Sequence, residues 1–202
     1  MRVWVFLATL VLPIEAAYAD NRGPYVEASG GMFAGAGVEG LNVNAVGLQL
    51  ASGVRFSRVL AFEGLFDAWF HTSPYVEPAE GAQCSGLYTD QWHWQTFGAR
   101  LWTHFTDNEH IDVALALPWL ELGAVYDHGR SVEAFGSHCY YPPRDSSGLM
   151  TVVGLVALAL ELRLASHVSL RIAGSAELDL GADVGGLGVL SISALVGPRV
   201  RF

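Results

Sequence analysis

The sequence predicts an all-β chain that closes into an eight-stranded antiparallel up-and-down transmembrane barrel. From Leu190 to Phe202, apolar residues at even positions alternate with mostly polar or small residues at odd positions, which is the period of a strand between two environments. The chain is 51% hydrophobic, yet none of its apolar runs reaches the roughly 17–25 residues that a spanning helix needs. Because only helices and closed barrels satisfy every backbone amide in lipid, we expect a barrel.

The N-terminus has the features of a secretory signal. Arg2 supplies a positive charge, residues 3–12 are apolar, and Ala17-Tyr18-Ala19 is a small-x-small cleavage site before Asp20. The apolar run is too short to be an anchor helix. We therefore expect residues 1–19 to be a signal peptide and residues 20–202 to form one barrel domain.

Eight segments share the alternation of a polar face with an apolar face. We predict strands at residues 24–34, 44–56, 59–71, 91–105, 111–126, 149–164, 168–182 and 190–202. Glu27 marks the polar face of the first strand and Arg55 that of the second. Glu63 and Asp67 lie opposite a row of phenylalanines in the third strand, and Arg100 lies opposite apolar residues in the fourth.

The fifth predicted strand changes phase in its middle. It starts with Asp112 on the polar face, but Glu121 then falls on the face that had been apolar. A bulge at Pro118-Trp119 would add one residue and restore the phase, and proline is tolerated at a bulge because it donates no ladder hydrogen bond.

The last three strands repeat the pattern with fewer interruptions. Their polar faces carry, in chain order, Glu161, Arg163, Arg171, Glu177, Asp179, Arg199 and Arg201. Their other faces are rich in leucine, isoleucine and valine. Such two-sided strands fit a barrel with lipid outside and a polar interior.

The connections alternate in length and the aromatic residues gather near predicted strand ends. Three connections are short, whereas residues 71–90 and 127–148 form long connections rich in Pro, Gly and Ser. Aromatic girdles mark the two membrane interfaces of such barrels. We assign to these girdles Trp69, Phe70, Trp92, Trp94, Trp102, Phe105, Trp119, Tyr126 and Phe202.

These features resemble the outer-membrane protein A/X superfamily of eight-stranded barrels in Gram-negative bacteria. The resemblance covers the mature chain and includes Val59-Leu60-Ala61-Phe62-Glu63-Gly64 after a tight turn and the terminal Val200-Arg201-Phe202. It implies an outer-membrane location, short periplasmic turns, long external loops, and Phe202 as the signal read by the barrel-assembly machinery. It also implies contact with outer-membrane lipid and lipopolysaccharide, and a monomer.

The polar faces define the candidate site, an ionic network inside the barrel. Its predicted members are Glu27, Arg55, Glu63, Asp67, Arg100, Glu161, Arg163, Arg171, Glu177, Asp179, Arg199 and Arg201. An eight-stranded barrel is only wide enough for side chains to fill it, so these charges must pair. The network is either a closed plug or a gated pore for ions or apolar solutes.

Cys84 and Cys139 fall in the two long connections. Cysteines of an exported chain pair by default, so we expect a disulfide that links the two loops. We expect no metal and no cofactor, since no set of His, Cys and carboxylates has metal-ligand spacing.

The resemblance implies a non-enzymatic role in envelope integrity, or in surface interaction with an external protein partner through the external loops. A net charge of −9 without a basic patch argues against nucleic acid. His167 and Ser169 resemble the pair of a lipid A deacylase barrel, with Glu177 or Asp179 as the acid, and this is the enzymatic alternative. A soluble lipocalin-like carrier, with apolar residues inside, is the alternative outside the membrane.

Overall fold

The structure is a computed structural model that describes residues 22–37, 42–78, 85–107, 110–135, 144–181 and 188–202. They form nine strands: β1 (Gly23–Gly37), β2 (Asn42–Arg55), β3 (Leu60–Pro78), β4 (Ser85–Asp107), β5 (Ile111–Ala116), β6 (Trp119–Phe135), β7 (Arg144–Arg163), β8 (Val168–Gly181) and β9 (Gly188–Arg201). Within these ranges no helix is long and apolar enough to cross a membrane.

The nine strands occupy eight positions in one closed antiparallel barrel. β5 and β6 follow each other in line, and each pairs with β4 on one side and β7 on the other. β1 pairs with β2 and with β9, which closes the sheet. The predicted fold class is therefore confirmed. We call the end with the tight turns 56–59 and 164–167 the turn end, and the opposite end the loop end.

Two neighbouring bulges reset the alternation in the middle of the wall. The register of β4 against β5 and β6 gains one residue around Pro118, as predicted. The register of β7 against β8 shifts at Leu155, which the sequence did not reveal. Leu117 and Pro118 both face outward, as do Leu155 and Val156, so that Trp119 points inward. The bulges thus keep the later polar residues of both strands inside.

The outer surface of the barrel is an apolar belt. Alternate residues on every long strand are apolar and exposed; Met32 is 69% exposed, Phe97 62% and Leu149 71%. Monomeric soluble proteins rarely expose contiguous apolar surface of this extent, whereas a barrel in lipid requires it. The lipocalin-like alternative is wrong, because it needs the apolar faces inside.

The interior holds large rings that lie over glycines of neighbouring strands. Trp119 covers Gly154, where a Cβ would lie 2.0 Å from the ring, and Trp69 covers Gly47, where a Cβ would lie 2.5 Å away. Any larger residue at these two glycines would displace the indole. Close packing of the lumen therefore depends on glycine at specific inward positions.

Four tryptophans correct the girdle prediction. Trp69, Trp94, Trp102 and Trp119 are all at most 5% exposed and lie inside the barrel. Near the loop end, Phe33 contacts Trp69 and Trp94 with ring centroids 5.5 Å and 5.1 Å apart. In the sequence these tryptophans share the alternate positions of the polar residues. The period-2 alternation therefore predicts that they point inward, and the assignment to girdles was wrong for them.

The sheet continues past the barrel at the loop end. β2 pairs with β3 as far as Ala45 opposite His71. β3 continues against β4 to Pro78 opposite Ser85, and β4 continues against β6 to Ser85 opposite Phe135. At roughly 3.3 Å per residue, β3 runs about 23 Å beyond its last pairing with β2. We call this part of β3, β4 and β6 the loop-end sheet.

The predicted long connections are therefore partly strand. Residues 71–90 and 127–148 were expected to be loops because they contain many turn-forming residues. Pro74 and Pro78 are compatible with β3 because, among the described residues, this part of β3 has β4 as its strand partner. A proline on a free edge removes no ladder hydrogen bond.

Candidate functional site

Glu63 is the centre of the interior network. β3 places it on the inward face, where it is fully buried. Its Oε1 accepts hydrogen bonds from Arg100 Nε at 2.7 Å and from Trp102 Nε1 at 3.0 Å, both on β4. Arg100 also donates to Gln49 Oε1 at 2.9 Å. The inward residues of β2, β3 and β4 are thus joined at one level of the lumen.

The second oxygen of Glu63 reaches the other side of the barrel. Oε2 accepts from Tyr25 Oη at 2.9 Å, from Arg171 Nη1 at 3.0 Å and from Arg199 Nη2 at 2.9 Å. Glu27 Oε2 binds the same two arginines, at 2.9 Å and 2.8 Å. Two carboxylates therefore share two guanidinium groups across the lumen, in the charge-assisted geometry that makes such bonds strong.

Aromatic rings hold the three central arginines as well. Arg171 lies 4.0 Å from the ring centroid of Trp102, and Arg199 lies 4.0 Å from that of Tyr25. Arg100 lies 4.6 Å from Trp102. A ring face attracts a cation, and a planar guanidinium stacks on it more readily than an ammonium would. All Lys and Arg positions of this chain are arginine, and in the lumen the guanidinium groups both pair with carboxylates and stack on aromatic rings.

Glu161 extends the network toward the turn end. It accepts from Arg199 Nη1 at 3.2 Å, from Ser169 Oγ at 2.5 Å and from Arg201 Nη2. Ser169 is the residue that a hydrolase would use as nucleophile, but its hydroxyl donates to this carboxylate. His167 is exposed in the adjacent turn. The geometry gives no support to a Ser–His pair.

A second cluster lies at the turn end. Arg55 Nη1 is 2.5 Å from Asp112 Oδ2, and His104 Nδ1 is 2.9 Å from the same oxygen. Arg55 also donates to the backbone carbonyls of Ser57 and Arg58. Arg163, another predicted member of the network, is half-buried on β7. These contacts tie the first tight turn to the barrel wall.

The remaining predicted members lie nearer the loop end and have a different environment. Asp67 and Asp179 are each 5% exposed, and Glu177 is half-buried and accepts from Ser175 Oγ. Glu121 joins them; its oxygens accept from Thr96 Oγ1 at 2.6 Å and from Trp119 Nε1 at 2.8 Å. The hydrogen-bond donors found here are neutral groups.

The predicted network omitted three aromatic residues and Glu121. Tyr25 and Trp102 donate to Glu63, and Trp119 donates to Glu121 and lies 5.8 Å from Arg100. The phase of the strands contains the signal for all four, provided that the bulge at Pro118 is applied and that aromatic residues are counted on the polar face.

Solved structures share this architecture, although no protein-family model and no curated protein matches the sequence. Neisserial surface protein A has a TM-score of 0.60 at 15% identity, covering 89% of this chain and 97% of that one. A major outer membrane protein of Thermus thermophilus has a TM-score of 0.56 at 13% identity, covering 89% and 98%. Ail of Yersinia pestis, solved with the heparin analogue sucrose octasulfate, has a TM-score of 0.50 at 12% identity, covering 88% and 99%.

The chain has the fold of these eight-stranded outer-membrane β-barrels. Its apolar belt requires lipid around the wall, in agreement with an outer-membrane location. In the barrel, Phe202 ends the wall at the turn end, 55% exposed, and its amide donates to Pro24 O at 3.0 Å.

Cys84 and Cys139 lie outside the described residues, so their disulfide stays a prediction. Among the described side chains, no three of His, Cys, Asp and Glu converge closely enough to hold a metal ion directly.

Proposed function

We propose that the barrel is a closed, non-enzymatic envelope protein that anchors the loop-end sheet and its loops at the cell surface. Its lipid partners are the outer-membrane lipid and lipopolysaccharide around the belt, and the barrel-assembly machinery inserts it. The turn end faces the periplasm and the loop end faces outward. The alternative is a small pore.

One contact supports the closed state above all others. β3 and β8 are four positions apart in either direction around an eight-position barrel, so they lie on opposite walls. Arg171 Nη1 nevertheless lies 3.0 Å from Glu63 Oε2. A direct bond across the full diameter, flanked by Trp102 and Arg199, leaves side chains rather than water along the axis.

The cost of opening such a plug also supports a closed barrel. Removing one partner from a buried ion pair costs about 3–5 kcal/mol, because it leaves an uncompensated charge. A path past Glu63 would require several of its five donors to leave together. This favours a structural role over conduction.

The loop-end sheet supports the surface part of the proposal. Its backbone is paired across β3, β4 and β6, and β7 joins β6 as far as Gly129 opposite Arg144. A partner would meet a continuous strand-paired backbone, and a preorganised backbone binds with less entropic cost than a mobile loop. The prolines on the free edge of β3 argue against pairing with a further strand.

Planar-bilayer recording tests the closed state. We expect no discrete channel events from the purified barrel, and none from the lipid-facing control Leu101→Ala. Arg100→Ala removes a side chain that fills the lumen, yet Glu63 keeps Tyr25, Arg171 and Arg199, so this variant should be silent too. Steady unit conductance in the wild type would overturn the closed state and establish the pore.

A genetic experiment separates the envelope role from the surface role. Cells that lack the protein should become more sensitive to detergents if the barrel supports the envelope. They should be complemented with the full chain and with a variant in which residues 72–91 are replaced by a short turn. Rescue by both would assign envelope support to the barrel wall, and binding of an external partner that is lost only in the shortened variant would assign the surface role to the sheet.

A further inference from the structure

The lumen near the loop end contains four carboxylates that we call the acidic chamber: Asp67 on β3, Glu121 on β6, and Glu177 and Asp179 on β8. The cross-strand register places Asp67 beside Thr96, whose hydroxyl is 2.6 Å from Glu121. Glu121 interacts electrostatically with each of the other three carboxylates. The chamber is therefore one electrostatic unit with Glu121 at its centre.

The chamber gathers four carboxyl groups near one arginine that is already paired with another carboxylate. The basic residue that acts on Asp67 and Glu177 is Arg100, and Arg100 is bonded to Glu63 at 2.7 Å. The other central arginines, Arg171 and Arg199, are bonded to Glu27 and Glu63. The three central arginines thus have their ion-pair partners outside the chamber.

Two aspartates of the chamber also have carboxylate oxygens that no hydrogen-bond donor reaches. Both carboxylate oxygens of Asp179 and Oδ1 of Asp67 are buried without any donor, and each residue is only 5% exposed. Buried polar atoms are nearly always satisfied in native proteins, and a buried charge must be paired or coordinated. Two such aspartates facing two further carboxylates indicate a missing positive group.

We propose that the acidic chamber binds one hydrated divalent cation of the hard class, Mg²⁺ or Ca²⁺. Its donors are all oxygens, from carboxylates and the hydroxyls of Thr96, Ser175 and Ser191, with no thiol or imidazole, which selects hard cations over transition metals. Because no three described carboxylates converge on one point, the ion keeps part of its water shell. Mg²⁺ is held in this way, by one or two carboxylates and several waters.

Trp119, beside the chamber, can report ion binding by fluorescence. Trp119 Nε1 donates to Glu121 Oε1 at 2.8 Å, so an ion in the chamber lies close to an indole. Tb³⁺ is a hard cation that replaces Ca²⁺ and emits when a nearby tryptophan transfers excitation energy to it. We would titrate Tb³⁺ into the refolded full chain in detergent micelles, excite tryptophan, and then compete with Mg²⁺ and Ca²⁺.

The test compares the wild type with Asp67→Asn/Asp179→Asn and with the control Glu161→Gln, which changes a carboxylate of the arginine network. We expect saturable sensitised emission at one ion per chain in the wild type and the control. The affinity should fall by about tenfold or more in the double variant, because ligand charge sets affinity at such sites. If the double variant does not fold, as judged by heat-modifiable migration, Asp67→Asn and Asp179→Asn are tested singly.

Two results would overturn the proposal. Absence of saturable emission in the folded wild type would mean that protons, not a metal ion, neutralise the chamber. Equal affinity in the wild type and the folded aspartate variants would place the ion elsewhere, on carboxylates outside the lumen. A second measurement on the wild type alone adds a check: its thermal midpoint should rise on adding Mg²⁺ and fall with chelator.

Discussion

Gly154→Ala tests whether interior glycines hold the lumen together. The new Cβ would lie 2.0 Å from Trp119 Cε2 and 2.1 Å from Cδ2, whereas ordinary contact begins at 3.4 Å. The indole would have to move by about 1.4 Å, yet it is 5% exposed and bonded to Glu121 at 2.8 Å. Overpacking of this kind costs typically about 1–3 kcal/mol, so we expect a loss of that size in the free energy of unfolding.

The assay is equilibrium unfolding in urea from lipid vesicles, followed by tryptophan fluorescence and by heat-modifiable migration. Gly174→Ala is the matched control, because it makes the same change on the lipid face, where the nearest atom would lie 3.5 Å away. We expect that control to stay within about 0.5 kcal/mol of the wild type. Equal stability of the two variants would refute the argument, and Trp119→Phe should recover part of the loss in Gly154→Ala.

Three further predictions concern the network, the C-terminus and the cysteines. Glu63→Gln removes the charge shared by three arginines and should cost about 3–5 kcal/mol in the same urea assay, whereas a loss under about 1 kcal/mol would show that the other carboxylates compensate. Phe202→Ala should lower the heat-modifiable fraction in the outer membrane relative to Phe202→Tyr, and equal fractions would remove its assembly role. Unreduced protein should resist alkylation at Cys84 and Cys139 and change gel mobility on reduction; two labelled thiols would exclude the disulfide.

Much of the wall is predictable because lipid and lumen impose opposite chemistry on adjacent residues. The alternation around Glu27, Glu63 and Arg171 is visible in the sequence, and their inward direction follows from it. Even the bulge at Pro118 could be inferred, because Glu121 would otherwise face lipid. The bulge at Leu155 could not be inferred, because Met150 to Leu160 is mostly apolar on both faces. A change of phase therefore does not alter the pattern of polar and apolar residues there.

Contacts across the lumen could not be predicted from the sequence. Whether Arg171 reaches Glu63 depends on the stagger between strands that are far apart in the chain, and period-2 alternation does not contain that stagger. The contact of the Trp119 ring with Gly154 could not be predicted either, because it depends on the register between two neighbouring strands. Sequence identifies which residues point inward, whereas the register decides which of them meet.

The loop-end sheet was missed for a different reason. Turn-forming residues between 71 and 90 indicate a loop when each segment is read alone. The pairing of β3 with β4 continues for nineteen residue pairs, from Leu60–Thr103 to Pro78–Ser85, so the long hairpin extends the strand through sequence that would not form one by itself. Tertiary pairing overrides local propensity here, as is common for strands.

The ionic network has a value that stability alone does not explain. Buried ion pairs can often be replaced by apolar residues of similar volume without loss of stability. In a barrel with an apolar lumen, however, a strand could shift by one residue and exchange its two faces at little cost. With Glu63, Arg171 and Arg199 in place, the same shift would put a charge into lipid, where an arginine or lysine at the bilayer midplane costs about 2–4 kcal/mol and acidic residues somewhat less. The paired charges therefore fix which face of each strand meets the membrane, and this selection of register gives the network a value beyond its contribution to stability.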